Sequence, residues 1–384
     1  MKQLLACYLF LQAVSCNAQT NNAQTQKVKY TYKAAVIDSS NIGALFYSNA
    51  PWIQQKVDAI FNAMTTDERA AQMIMIASGE TMGFPYQTYV KPLIDDKKVA
   101  NVIFLKGTTT QFKKQADYLN TKTMAGLSPL YACDCEPSLL HYKMTDKPKM
   151  TTTNRLQDSL SVKNSVDSIN NIMDLIGIHV NFAPVLDIGI NKAVISNRAF
   201  SAKPDSIVYL SDKFIHYTQT DKKAATIKHF PGHGAVSGDT HKQSVYIDGK
   251  LTELATFQKV ITQSNPIFVM IGHITVRNNP DGYNTESGKI ASSSRTIVTK
   301  LLKQKMGFNG IVTTDAMNMG AATKIANGDW EAIKAGVDLI LMPVEPRKLH
   351  AQIVKELTAQ SELAKEMELS IKKIIRLKYL SGNL

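Results

Sequence analysis

From residue 72 onward the chain repeats one pattern. A short apolar run rich in Val, Ile and Ala is followed by a longer stretch with hydrophobic residues three and four apart. The runs cover residues 72–77, 100–105, 129–134, 179–188, 225–230, 267–273, 310–315 and 336–342. Several show no alternation of apolar and polar positions, which is how a strand reads when both of its faces are buried. Helical patterns lie between most of them, as at 159–176 and 294–305, and another opens the series at 52–64. Eight such units over about 300 residues predict an α/β protein closed into a (β/α)8 TIM-type barrel over residues 51–384. An open doubly wound sheet is the alternative, but no phosphate-binding glycine fingerprint follows the first strand.

The runs turn polar at one end. Asp134, Asp187, Lys228-His229, His273 and Asp315 stand at or just past the C-terminal ends of five of them. In a barrel all those ends open on one rim, where active sites are built. A strand leaving a core must meet water somewhere, which accounts for one or two such residues. It accounts poorly for three Asp, one Lys and two His.

Two segments concentrate the chemistry. In the first, Lys228-His229-Phe230-Pro231-Gly232-His233-Gly234 is followed by Asp239-Thr240-His241. Proline and two glycines force an irregular loop over the rim. A carboxylate two residues before an imidazole can hold one ring nitrogen and raise its basicity. Three histidines in thirteen residues also leave a zinc site open, although no helical two-histidine spacing or nearby thiol supports it. The second segment runs from Gly307 to Met317 and ends its strand on Asp315. That carboxylate reads either as a helix cap or as a nucleophile at the barrel mouth.

Composition adds boundaries. With 384 residues, 44% hydrophobic and 20% charged, the chain is neither disordered nor fibrous. Its formal charge of +12 is spread over scattered lysines with no long basic block, so it reads as a solvated surface rather than a nucleic-acid site. Lys2 and the apolar stretch 4–14 read as an export signal over residues 1–18, too short to span a bilayer. Cleavage after Ala18 gives a periplasmic or secreted protein, and Cys16 after Ala13-Val14-Ser15 opens the alternative of a lipid anchor. Residues 19–50 read as a polar leader. Cys133 and Cys135 flank Asp134 on one strand face and read as small core residues rather than a disulfide framework.

These residues together resemble glycoside hydrolase family 3, in its β-N-acetylglucosaminidase branch. Lys228–Gly234 with Asp239 and His241 is similar to that branch's K-H-F-P-G-H-G-D-T-x-x-D-S-H motif, with Ala235 where the family has Asp. Residues 307–315 resemble its G-F-x-G-x-V-x-[ST]-D motif, and GIHVNFAPVLD at 177–187 its L-G-[IF]-x-x-N-[FL]-A-P-V-x-D strand. Asn197-Arg198-Ala199-Phe200 and Met270 with His273 match two further elements. The likeness spans roughly residues 50–384.

The resemblance implies a retaining glycosidase acting on oligosaccharides with terminal β-linked N-acetylglucosamine, from peptidoglycan fragments or chitooligosaccharides. Asp315 would be the nucleophile, and His241 with Asp239 the acid and base. Asp134, Arg198, Lys228 and His229 would bind the sugar. No cofactor, metal, nucleic acid or stable protein partner is implied. A β-glucosidase, a phosphorylase on the same barrel and a catalytically silent sugar-binding barrel are the rival expectations. One departure bears on substrate: where the family carries D-Q-E-G-G-R-V-x-R after its third strand, this chain keeps Asp134 and Glu136 but loses the glycines. The sugar-binding Arg position falls on Tyr142, with Lys143 one residue on.

Overall fold

The computed structural model describes residues 38–191, 195–236 and 244–382. Its strands are β1 (Ile74–Ser78), β2 (Asn101–Phe104), β3 (Leu130–Cys133), β4 (Val180–Asn181), β5 (Ala224–Phe230), β6 (Val245–Asp248), β7 (Phe268–Ile271), β8 (Ile274–Arg277), β9 (Ile311–Thr314) and β10 (Ile340–Leu341). Eight of them form one parallel sheet in the order β10-β1-β2-β3-β4-β5-β7-β9. The Thr313–Leu339 bridge joins β9 to β10, with Asp338 N–H donating to Val312 O at 2.8 Å, and closes the (β/α)8 barrel. Every apolar run of the sequence supplies one barrel strand.

Both strand faces are apolar because both are covered. Met75, Ala77, Ile103, Leu130, Ala132, Ala224, Phe268, Met270 and Ile311 cluster on the inner face. Ile74, Ile76, Val102, Phe104, Tyr131, Cys133, Ile227 and Val312 pack outward against the helices. Alanines alternating with Met, Leu, Ile and Phe fill the interior of an eight-stranded barrel. This parity also sets the chemistry. Counting by twos from the inward Leu130, Ala224 and Ile311 reaches Asp134, Lys228 and Asp315, so all three point to the barrel's mouth.

Three features depart from the sequence pattern. The run 179–188 keeps only two residues in the sheet, because Pro184 has no N–H to donate, and the remainder crosses toward β5 with Leu186 N–H on Lys228 O at 2.7 Å. β6 and β8 form a separate two-stranded parallel sheet beyond the ends of β5 and β7. The helix Ile42–Tyr47, inside the segment read as a leader, is capped by Asn41 and buries Ile42 and Phe46 with Ile267 and Leu377. The folded body therefore starts ahead of residue 51. Cys133 and Cys135 are buried free thiols. Among the described residues no helix is long and apolar enough to cross a membrane.

Candidate active site

The loop after β3 and the end of β5 meet in a buried ion network. Lys228 Nζ lies 2.8 Å from Asp134 Oδ1 and 2.7 Å from Glu136 Oε1, and Lys228 is 1% exposed. Arg198 grips Glu136 with two parallel bonds, Nε to Oε2 at 2.8 Å and NH2 to Oε1 at 2.7 Å. Lys143 Nζ stands 3.1 Å from Asp134 Oδ2. Each of these charges alone would lose several kcal/mol of hydration on burial. Here pairing outweighs burial: Lys228 and Lys143 hold Asp134 well below the carboxylate range. Burial likewise pushes Glu136 up, but Arg198 and Lys228 bring it down to about 2. Burial opposes the charge on Lys228, and Asp134 and Glu136 raise its pKa in spite of it.

Local hydrogen bonds explain why these segments meet. Asn181 at the end of β4 receives the Cys135 N–H at 3.1 Å and donates to Cys135 O at 3.2 Å, fixing the chain between Asp134 and Glu136. Ser138 Oγ donates to Asn197 O at 2.8 Å, sewing the loop after β3 to the turn that carries Arg198. The short helix Leu140–Lys143 then brings Lys143 back, with Gly107 N–H donating to Lys143 O at 3.1 Å. Tyr142 points away, 59% exposed, its ring 3.9 Å from that of His141.

A second group surrounds Asp187, which is fully buried. Its Oδ2 lies 2.6 Å from His229 Nδ1, and its Oδ1 accepts the His233 N–H at 2.8 Å. Burial raises the Asp187 carboxyl, but the two histidines hold it below its ordinary value. Burial lowers His233, against the opposing charges of Asp187 and Asp315. Asp315 follows β9, with its N–H on Ile271 O at 2.9 Å and its Oδ1 accepting the Ala316 N–H at 2.8 Å. His273 steadies the same turn, Nε2 lying 2.9 Å from Ala316 O and Nδ1 2.9 Å from Ser292 Oγ.

The structure thus assembles Asp134, Lys228 and Arg198 directly, and places His229 on β5 and Asp315 after β9, two strands along the same rim. Asp239 and His241 lie outside the described residues. Three groups had no assigned role in the sequence reading: Glu136, which completes the ion network, Asp187, which holds His229, and Glu253. Asp187 is legible in the sequence as a strand-end carboxylate, and Glu136 as a retained position of the motif after the third strand. Glu253 opens a helical pattern like any surface acid, and nothing in its linear surroundings marks it.

The described geometry puts a carboxylate, a paired imidazole and an ion network at one barrel mouth, a combination suited to holding a polyhydroxylated ligand beside a nucleophile. The family model described as "Glycosyl hydrolase family 3 N terminal domain" matches residues 65–377. Beta-hexosaminidase A of Pseudoalteromonas piscicida is 30% identical over 216 residues, covering 52% of this chain and 36% of that protein. The beta-hexosaminidase of Haemophilus influenzae is 33% identical over 178 residues, covering 44% of this chain and 49% of its own. The chain therefore spans about half, or less, of the length of these relatives. In fold it resembles the glycoside hydrolase family 3 β-N-acetylglucosaminidase of Paenibacillus sp. FPU-7, with a TM-score of 0.72, 24% identity, and coverage of 83% of this chain and 63% of that one.

Proposed function

The chain belongs to glycosyl hydrolase family 3, and from that premise we propose that it is a retaining glycosidase that removes terminal β-linked N-acetylglucosamine from peptidoglycan fragments or chitooligosaccharides. The observation that carries the reading is the inward parity of Asp134, Lys228 and Asp315, which brings a carboxylate to the mouth that already holds the Asp134–Lys228–Glu136–Arg198 network.

In this reading the sugar's hydroxyls lie against Asp134, Lys228, Arg198 and His229. Because Asp134 stays ionised, it accepts hydrogen bonds from hydroxyls, while the cations donate to them. Asp315 attacks the anomeric carbon as the glycosidic bond breaks, forming a glycosyl-enzyme. His241, paired with Asp239, protonates the leaving oxygen and then takes a proton from the attacking water. An imidazole suits both steps because it titrates near neutral pH. Residues 1–18 read as an export signal, so the substrate would be met outside the cytoplasm.

Turnover of nitrophenyl β-N-acetylglucosaminide and the matching glucoside, with and without phosphate, tests the proposal. Preference for the N-acetylglucosaminide, unaffected by phosphate, supports it. Preference for the glucoside, or a phosphate-dependent rate with sugar phosphate as product, gives the activity to a rival. No turnover with sugar binding intact leaves a silent binding barrel.

A further inference from the structure

Glu253 stands just ahead of the helix Leu254–Ser264 and is 4% exposed, and among the described residues its side chain bonds to backbone N–H groups. Its Oε2 accepts the Ile188 N–H at 2.7 Å, and its Oε1 accepts those of Gly234 at 3.0 Å and Ala235 at 3.1 Å. Ile188 directly follows Asp187 on the chain leaving β4, whereas Gly234 and Ala235 belong to the loop leaving β5. One carboxylate therefore ties two catalytic-rim loops together. Among the described residues no cation pairs with it, so the three amides carry the compensation for its burial.

The two loops have been shaped to this contact. A Cβ at Gly232, where φ is +124°, would stand 2.6 Å from Glu253 Oε1, and one at Gly234 would stand 2.1 Å from Ile188 O. Both positions need glycine for the loops to close over the carboxylate. Asn191 reinforces the seam, with its N–H on Gly234 O at 2.9 Å. Asp187 bridges the same loops from the other side through His229 and the His233 N–H.

We propose that Glu253 is a positioning residue for the glycosidase reaction: it fixes the loop after β4, which carries Asp187, against the loop after β5, and so sets the His229 imidazole and the point from which the chain runs on toward Asp239 and His241. The assignment rests on the functional reading above. Its physical basis is the geometry: one side chain accepts three backbone N–H groups on its two oxygens, drawn from both loops at once. Burial, with Asp187 nearby, pushes Glu253 up to about 8 even against those three amides, so near neutral pH the group is largely the neutral acid, whose two oxygens both still accept.

Glu253→Gln separates positioning from folding. The amide keeps the shape but turns an NH2 donor toward one of the two loops. The expected result is a kcat per folded molecule lower by about 10–100-fold, with KM changed far less, because small displacements of reacting groups cost rate steeply. Amide hydrogen exchange should accelerate in the segments containing Ile188 and Gly234–Ala235. If Glu253→Gln does not fold, Glu253→Asp, which withdraws the carboxyl by one methylene, serves the same comparison. A kcat equal to wild type in the folded variant, or undiminished protection of those amides, overturns the proposal. A wild type inactive on all glycosides would sink the functional reading, and the exchange measurement would still decide whether Glu253 holds the two loops.

Discussion

Lys143 and Asp134 meet at 3.1 Å on the side of the carboxylate away from Lys228, which takes the other oxygen at 2.8 Å. One carboxylate thus bridges two ammonium groups at the mouth of the barrel, and the second of them comes from a four-residue helix in the loop after β3. The residue at the family's arginine position, Tyr142, is turned to solvent. Lys143→Ala should raise KM for an N-acetylglucosaminide by about 10–100-fold, the equivalent of one charged hydrogen bond of roughly 1.5–3 kcal/mol, with kcat little changed. Lys143→Arg should keep most of the affinity, and Tyr142→Arg should leave KM near wild type. Steady-state kinetics of the three variants checks this, and an unchanged KM in Lys143→Ala removes Lys143 from the sugar site.

Asp315→Asn should abolish turnover while sugar binding persists. A nucleophile contributes to the transition state far more than to the ground-state complex. Calorimetric binding of N-acetylglucosamine alongside the turnover assay distinguishes the two effects. Near-normal turnover would take the nucleophile's role away from Asp315.

His241→Ala should slow both halves of the reaction by about 10²–10⁴-fold, because one group serves as acid and then as base. Substrates with a nitrophenolate leaving group should lose less in the first step, since they need little protonation. Pre-steady-state rates on good and poor leaving groups test the point, and equal losses on both argue against an acid role.

Lys378 gives a stability prediction remote from the site. It is 1% exposed, and among the described residues its Nζ finds Gln72 Oε1 at 2.8 Å and Ala100 O at 3.0 Å as acceptors and no carboxylate. Burial lowers its pKa to about 7. In the unfolded chain an ordinary lysine titrates near 10.4. Between those values the unfolded state binds more protons, so stability rises with pH through that window, and the full penalty applies below pH 7. That penalty is on the order of 5 kcal/mol, at about 1.4 kcal/mol per pH unit. Thermal melts from pH 6 to 10 should show a rising Tm in wild type and a flatter profile in Lys378→Met, with the variant the more stable near pH 7. Parallel profiles would mean that Lys378 keeps its proton when buried.

The sequence by itself determined the barrel and its working rim. Eight apolar runs without alternation require strands covered on both faces, and the spacing between them leaves room for a helix each. Asp134, Lys228 and Asp315 sit at strand ends on one parity, so their convergence follows once the strands are parallel. Tertiary structure decided which of these groups touch. Lys228 reaches Asp134 across 94 residues and Arg198 reaches Glu136 across 62, distances over which no local pattern carries information. It also decided that Lys143, not Tyr142, turns inward, because the short helix after Glu136 takes its direction from bonds to Gly107 and the Arg198 turn rather than from its own sequence. Glu253 is the clearest case: a carboxylate at a helix start reads as surface until the two loops closing over it bury it.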